Sequence, residues 1–229
     1  MTAIDDDKSG STRAVDRALH LLTSVLEGDS GNTLSELARS AALSPSTASR
    51  LLATLVNHEL IQRDLDGRYK AGVRMKQLAA SAFREDQLYE LSGHHLDQLV
   101  EETGETASLA VPVGDDEVLY LRQVASTHQV QTIVWTGRTI PREGTALGSV
   151  ISGPVGERGY AASQRPDSDV IAVAVPILGR GGSILGGISI NAPAYRTTED
   201  DIARFGLALL RHGRELSRSL GAPTSAPAH

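Results

Sequence analysis

Ser44-Pro45-Ser46-Thr47-Ala48-Ser49-Arg50 gathers four hydroxyl side chains and one guanidinium within two turns of chain. These residue types suit the binding of a polyanion better than bond-breaking chemistry. Short hydroxyls donate to phosphate oxygens without bulk, and the free N–H groups of a helix N-terminus attract the same anion. An arginine can span the two acceptors of a guanine edge, a contact that discriminates by ~1–3 kcal/mol. Ser44 serves first as an N-cap, with Pro45 at the position where a missing N–H costs nothing. Ser46, Thr47 and Ser49 are modest helix formers, so propensity gives no reason for their clustering on an exposed face.

The charge pattern points the same way. The chain carries a formal net charge of −6, but charge acts locally. Between Arg39 and Lys76 stand Arg39, Arg50, Arg63, Arg68, Lys70, Arg74 and Lys76, against only Glu59, Asp64 and Asp66. The acidic runs lie elsewhere, at Asp5–Lys8 and Glu101–Glu105. Aromatic residues make up 3 % of the chain, too few for stacking bases of a single strand. Duplex DNA is the polyanion that fits.

Helical elements must hold this cluster. Val15, Ala18, Leu19, Leu22, Val25 and Leu26 recur at helical spacing from Ala14 to Gly28. Thr33 and Glu36 form a capping-box pattern ahead of Leu34, Leu37 and Ala38. The third helix starts at Ser44 and buries Leu51, Leu52, Leu55 and Val56. Two short extended runs, Leu60–Arg63 and Arg68–Lys70, flank an Asp66-Gly67 turn, a hairpin signal that places Arg68 and Lys70 where they can grip phosphates. Helix, short helix, turn, helix and hairpin is the order of a winged helix-turn-helix, whose third helix enters the major groove.

From Val73 to Val100 the pattern predicts two more helices, broken near Phe83–Gln87. Strands are expected at Thr106–Val113, Glu117–Ala125, Val130–Trp135, Asp169–Leu178 and Ile184–Ala192, with helices at Gly144–Ile151 and Glu199–Leu220. The fold class is α+β: a winged helix-turn-helix over 11–71, a helical linker over 72–86, and an antiparallel sheet domain with flanking helices over 87–221. Residues 1–10 and 222–229 are expected to be disordered.

The stretch "LSELARSAALSPSTASRLLATLVNHELIQRDLDGRYKAG" resembles the DNA-binding domain of the IclR family of bacterial transcriptional regulators. The segments "GRTIPREGTALGSVISG", "GYA", "VIAVAVPIL" and "GGISINAPAYRTTEDDI" resemble that family's C-terminal effector domain. The resemblance runs from about Arg13 to Gly221. It implies a GAF-like effector domain, homodimers that can pair into tetramers, and operator binding modulated by a small metabolite, with repression the commoner outcome. It puts DNA contacts on Pro45, Ser46, Thr47, Ser49 and Arg50. It puts an effector pocket on Thr145, Ala146, Leu147, Ala172, Ser189 and Asn191, with Leu109, Leu119, Leu121 and Trp135 as apolar walls. This chain has only "GPVGERG" between Ser152 and Tyr160, where relatives carry a longer helical segment, and Glu143 precedes "GTALG" where a histidine is common. A ligand-independent regulator with a degenerate pocket is therefore an alternative, and a sensory or protein-interaction module that does not bind DNA is a further one.

Enzyme chemistry finds little support. "GRGGSILGG" lacks both the G-x-G-x-x-G spacing and a G-x-S-x-G, because Ile184 and Leu185 stand where glycines are needed. His94-His95 lacks the H-E-x-x-H pattern, and the chain has no cysteine, so thiolate metal sites and cysteine nucleophiles are excluded. The expectation is no catalytic site, no cofactor and no metal. The N-terminal "MTAIDDDKSGSTR" is neither signal nor anchor, no apolar run spans a bilayer, and the expected location is cytoplasmic.

Overall fold

The computed structural model describes residues 6–28, 31–166 and 168–223. Its contacts divide the chain into two compact units that meet at Glu85/Asp86. The expected disordered ends fall largely outside the described residues (1–5 and 224–229).

The first unit begins with α1 (Asp6–Glu27), followed by α2 (Leu34–Ser40) and α3 (Pro45–Asn57). The start of α1 lies within the 1–10 stretch expected to be disordered. Apolar periodicity starts only at Val15, so the first turns left no sequence signal. The α1 stripe also splits in two. Leu21 and Val25 are buried, with Ala18 and Leu22 beside them, whereas Val15, Leu19 and Leu26 remain exposed. Thr33 and Glu36 close their capping box: Thr33 N–H donates to Glu36 Oε2 at 2.7 Å, and Glu36 N–H to Thr33 Oγ1 at 3.3 Å. Thr33 Oγ1–H also donates to Glu36 Oε2 at 2.8 Å, and the Thr33 N–H bond, then this one, hold the Glu36 carboxyl below the usual carboxylate range.

The turn into α3 places Ala42 at φ 51, a left-handed conformation that costs an L-residue ~1–2 kcal/mol. Ala48, Leu52 and Leu55 are the fully buried residues of α3; Leu51 and Val56 are half-buried, and Ala48 was not in the expected stripe. They pack with Leu21, Val25, Leu37, Ile61 and Tyr69 into one core. Each buried leucine there contributes ~1.5–3 kcal/mol. The wing is β1 (Ile61–Arg63) paired antiparallel with β2 (Tyr69–Ala71), in the register Arg63↔Tyr69. Gly67, at φ 77, supplies the left-handed residue its tip needs. α4 (Val73–Phe83) follows, and none of its residues is buried.

The second unit runs α5 (Gln87–Thr103), β3 (Thr106–Val113), β4 (Glu117–Val124), β5 (Thr139–Pro141), α6 (Ala146–Ser152), β6 (Ala161–Gln164), β7 (Val170–Leu178), β8 (Ile184–Pro193) and α7 (Glu199–Ser219). The six strands form one antiparallel sheet in the order β5-β4-β3-β8-β7-β6. α5 and α7 cover one face over a core that includes Leu96, Leu99, Leu109, Val175, Ile188, Ile190 and Leu209. α6 covers the other face with Leu147, Val150 and Ile151 against Ala110, Val118, Tyr120 and Ala174. Alternation along each strand assigns side chains to the two layers.

The expected strand at Val130–Trp135 does not form. The β4 edge is taken by the residues after it: Gly137 N–H donates to Tyr120 O at 2.8 Å, Tyr120 N–H to Arg138 O at 3.0 Å, and β5 continues the ladder. From this segment Ile133 and Trp135 instead line a cavity on the sheet's α6 side. β5 and β6 were not expected; both are short, and "AASQ" has none of the branched or aromatic residues that mark strands.

Candidate DNA-binding surface and ligand cavity

On α3, Ser44 Oγ accepts from Thr47 N–H at 3.3 Å, so Ser44 is the N-cap. The same oxygen lies 3.1 Å from Ser46 Oγ and 2.9 Å from Thr47 Oγ1. Three hydroxyls are thus held as one network at the helix N-terminus. Pro45, Ser46, Ser49 and Arg50 are exposed, and Thr47 is half-buried. Ala48, between them, is fully buried and anchors this turn to the core. Among the described residues no side chain pairs with the Arg50 guanidinium, which projects freely.

The wing cations are more constrained than the sequence suggests. Lys70 Nζ lies 2.7 Å from Asp64 Oδ2, and this bond, with Arg68 N–H next, lowers the Asp64 pKa. Arg68 Nη1 donates to Gly31 O at 2.9 Å and stands 4.0 Å from Glu36 Oε2. Arg68 therefore ties the wing to the loop before α2. Arg63, which was not singled out, donates to Gly67 O at 3.1 Å and lies over the Tyr69 ring at 5.7 Å.

In the second unit a cavity of about 400 Å³ opens between the sheet, the start of α6 and the 130–135 segment. That volume suits a small organic molecule. Of the ten expected pocket residues, Trp135, Thr145, Ala146, Leu147, Ala172 and Asn191 line it. Leu109 and Leu121 do not, because they point into the opposite core beneath α5 and α7. Leu119 also falls outside, since its strand neighbour Tyr120 takes the cavity face. Ser189 is fully buried two residues before Asn191 on β8, beside Ala174 and outside the cavity lining, and its Oγ has no partner among the described residues.

The residues missed are polar. Between Leu109 and Ala110 the β3–β4 register shifts, so β4 carries a bulge at Leu121. The bulge breaks the alternation and brings both Tyr120 and Gln123 into the cavity wall. Gln123 Nε2 donates to Ser108 Oγ at 2.8 Å, Asn191 Nδ2 donates to the same oxygen at 3.3 Å, and Trp135 N–H donates to Gln123 Oε1. Burial pushes the Tyr120 phenol up, partly opposed by its bond with Asn191, so it stays protonated and can donate. Thr132 Oγ1 lines the cavity, is buried and has no partner among the described residues. Such an orphan costs ~1–3 kcal/mol unless water or a ligand meets it. Arg165 and Asp169 are the charged groups of the described lining.

A winged helix-turn-helix with an exposed hydroxyl-and-arginine face, followed by a sheet domain with a ligand-sized cavity, is the architecture of a two-domain DNA-binding regulator. Comparison with known proteins makes the class specific. The IclR helix-turn-helix domain matches residues 14–65, and the bacterial transcriptional regulator IclR C-terminal domain matches residues 80–155. The chain belongs to the IclR family of bacterial transcriptional regulators. It is 25 % identical over 248 residues to the HTH-type transcriptional regulator BhcR of Paracoccus denitrificans, covering 92 % of this chain and 88 % of that protein. It is 23 % identical over 251 residues to the transcriptional repressor IclR of Escherichia coli, covering 93 % and 92 %. The crystal structure of an IclR homolog complexed with 4-hydroxybenzoate, from Microbacterium hydrocarbonoxydans, shares the fold with a TM-score of 0.73 at 20 % identity, over 90 % of this chain and 98 % of that one. The Paracoccus and Escherichia relatives are regulators of transcription. No helix among the described residues is long and apolar enough to cross a membrane.

Proposed function

We propose that this chain is a homodimeric repressor that acts on DNA in the cytoplasm and whose operator affinity is set by a small organic ligand in the second domain. The observation that carries the reading is the exposed face of α3, with Ser46, Thr47 and Ser49 beside an Arg50 whose guanidinium has no partner among the described residues. A guanidinium left without a partner on a helix that a core holds rigidly is built for an external acceptor. Ser46, Thr47 and Ser49 contact phosphate and base edges, Pro45 stiffens the approach, and Arg50 reads a base. Lys70 reaches a phosphate by leaving Asp64, and Arg68 positions the wing.

Two apolar faces support dimerisation. Val15, Leu19 and Leu26 on α1, and Val73 and Leu78 on α4, are large and exposed in the single chain. A second copy covering them gives a two-fold protein and a palindromic operator, with half-sites about one turn (~34 Å) or a multiple apart. Tetramers follow if dimers pair on DNA.

The ligand is a compact metabolite that meets Tyr120, Gln123, Thr132 and Asn191 with polar atoms and Trp135, Leu147 and Ala172 with apolar ones. The bound 4-hydroxybenzoate of the Microbacterium homolog has that size and mixture of groups. It acts only by binding one spacing of the paired α3 helices better than another. A mobility shift with duplex DNA from upstream of its own coding region tests the reading. Saturable binding, resisted by excess unrelated duplex and weakened by Arg50→Ala, supports it; binding indifferent to sequence and to Arg50 would overturn it.

A further inference from the structure

The two domains leave unused a cluster on the outer, helical side of the second one. His95 on α5 and His212 on α7, 117 positions apart in sequence, bring their Nδ1 atoms to 3.1 Å. Glu215 stands one turn beyond His212 on α7, so the two share a helix face. The ligand atoms of His95, His212 and Glu215 all lie within 4.8 Å of one another. His212 is 3 % exposed, and its Nε2 lies 3.3 Å from Glu102 Oε1. Arg211 in turn donates to the other oxygen of Glu102.

We propose that His95, His212 and Glu215 form a binding site for a divalent transition-metal ion of the zinc class, with water as the fourth ligand. The geometry carries the assignment. Two ligands each ~2.0–2.1 Å from a tetrahedral ion stand about 3.3–3.4 Å apart, so the His95–His212 separation is already close to one edge of such a tetrahedron. The tautomers agree as well. Glu102 accepts the Nε2–H of His212, which leaves the His212 Nδ1 lone pair facing His95, as a carboxylate behind a metal-bound imidazole does. His95 joins as a ligand by holding its proton on Nε2. Glu215 supplies one negative charge and Glu102 a second behind it. Two imidazoles and one carboxylate suit zinc, nickel or cobalt rather than calcium or magnesium, which prefer all-oxygen shells.

The expectation of no metal came from the local pattern at His94-His95, which lacks H-E-x-x-H, with the other histidines scattered along the chain. The partners come from the other helix, which only the α5–α7 packing brings near. The site lies on the opposite face of the sheet from the α6 cavity, so it is independent of the effector reading. A bound ion would cross-link α5 to α7.

The test is a zinc chloride titration of full-length, tag-free, chelator-stripped protein against a chromophoric zinc indicator, with cobalt absorption as the probe of geometry. The expected result is one zinc per chain, a tetrahedral cobalt spectrum, and a melting temperature that rises with zinc. His95→Gln and Glu215→Gln, at half-exposed and exposed positions, should each weaken binding at least tenfold with the fold intact by circular dichroism. Glu102→Gln should weaken it about 10–100-fold. His94→Gln should leave it unchanged. No stoichiometric uptake by the parent, parent-like affinity in His95→Gln, or a loss in His94→Gln equal to that in His95→Gln would overturn the assignment. His95→Gln and Glu215→Gln decide the matter even if the buried His212→Gln fails to fold.

Discussion

Arg50→Ala separates recognition from folding. Arg50 is exposed, caps nothing and pairs with nothing among the described residues, so its removal should change unfolding free energy by no more than about 0.5 kcal/mol. If Arg50 makes a bidentate base contact, each half-site loses ~1–3 kcal/mol, which is about a 5- to 150-fold rise in Kd. Loss in both halves of a dimer would compound. The assay is fluorescence anisotropy at one fixed salt concentration, on the operator and on a scrambled duplex, with urea unfolding in parallel. The expected result is a large loss on the operator, a small one on the scrambled duplex, and an unchanged unfolding midpoint. Equal affinity for the operator would refute the assignment of α3. An equal loss on both duplexes would reduce Arg50 to a phosphate contact.

The wing, the cavity and the last helix give three further tests. Lys70→Ala should weaken binding to all duplexes and lower the salt slope by about one, whereas Asp64→Asn, which frees Lys70, should steepen it; equal slopes would remove Lys70 from the interface. Ala172→Trp, which builds into the cavity rather than the core, should abolish the thermal shifts that a panel of small carboxylic acids gives the parent, and retained shifts would place the ligand elsewhere. Asp201 completes the capping box of α7 with the N-cap Thr198, and its bonds from Thr198 Oγ1–H and N–H, then Arg204, lower its pKa from 3.8 to about 2. A depressed folded-state pKa gives stability that is full above the unfolded value and is lost as pH falls toward about 2. The deficit of Asp201→Asn in chemical unfolding should therefore be constant above about pH 5 and shrink between pH 4 and 2; a deficit independent of pH would contradict this origin.

The sequence showed the first unit nearly in full because its signals are local. The Thr33–Glu36 box, the Ser44-Pro45 start and the hairpin turn each lie within a few residues of what they organise. The second unit depends on what lies next to what. The segment 130–135 has the β-branched and aromatic residues of a strand, but β5 holds the edge it would need. Leu109, Leu119 and Leu121 look like cavity walls until the phase of the sheet is known, and the bulge at Leu121 that admits Tyr120 and Gln123 has no residue signature of its own. The wing shows the same limit in charge. Arg68 and Lys70 read as free cations along the chain, but Gly31, Glu36 and Asp64 claim them in space.

Selection from a random duplex library by the full-length protein, run beside Arg50→Ala, tests the central claim most directly, because it asks whether α3 reads duplex sequence without presuming an operator. The account predicts enrichment of an inverted repeat by the parent, with half-site centres about one helical turn or a multiple apart, and loss of preference at symmetric positions with Arg50→Ala. Failure of the parent to enrich any sequence, or enrichment of the same motif by both proteins, would contradict it.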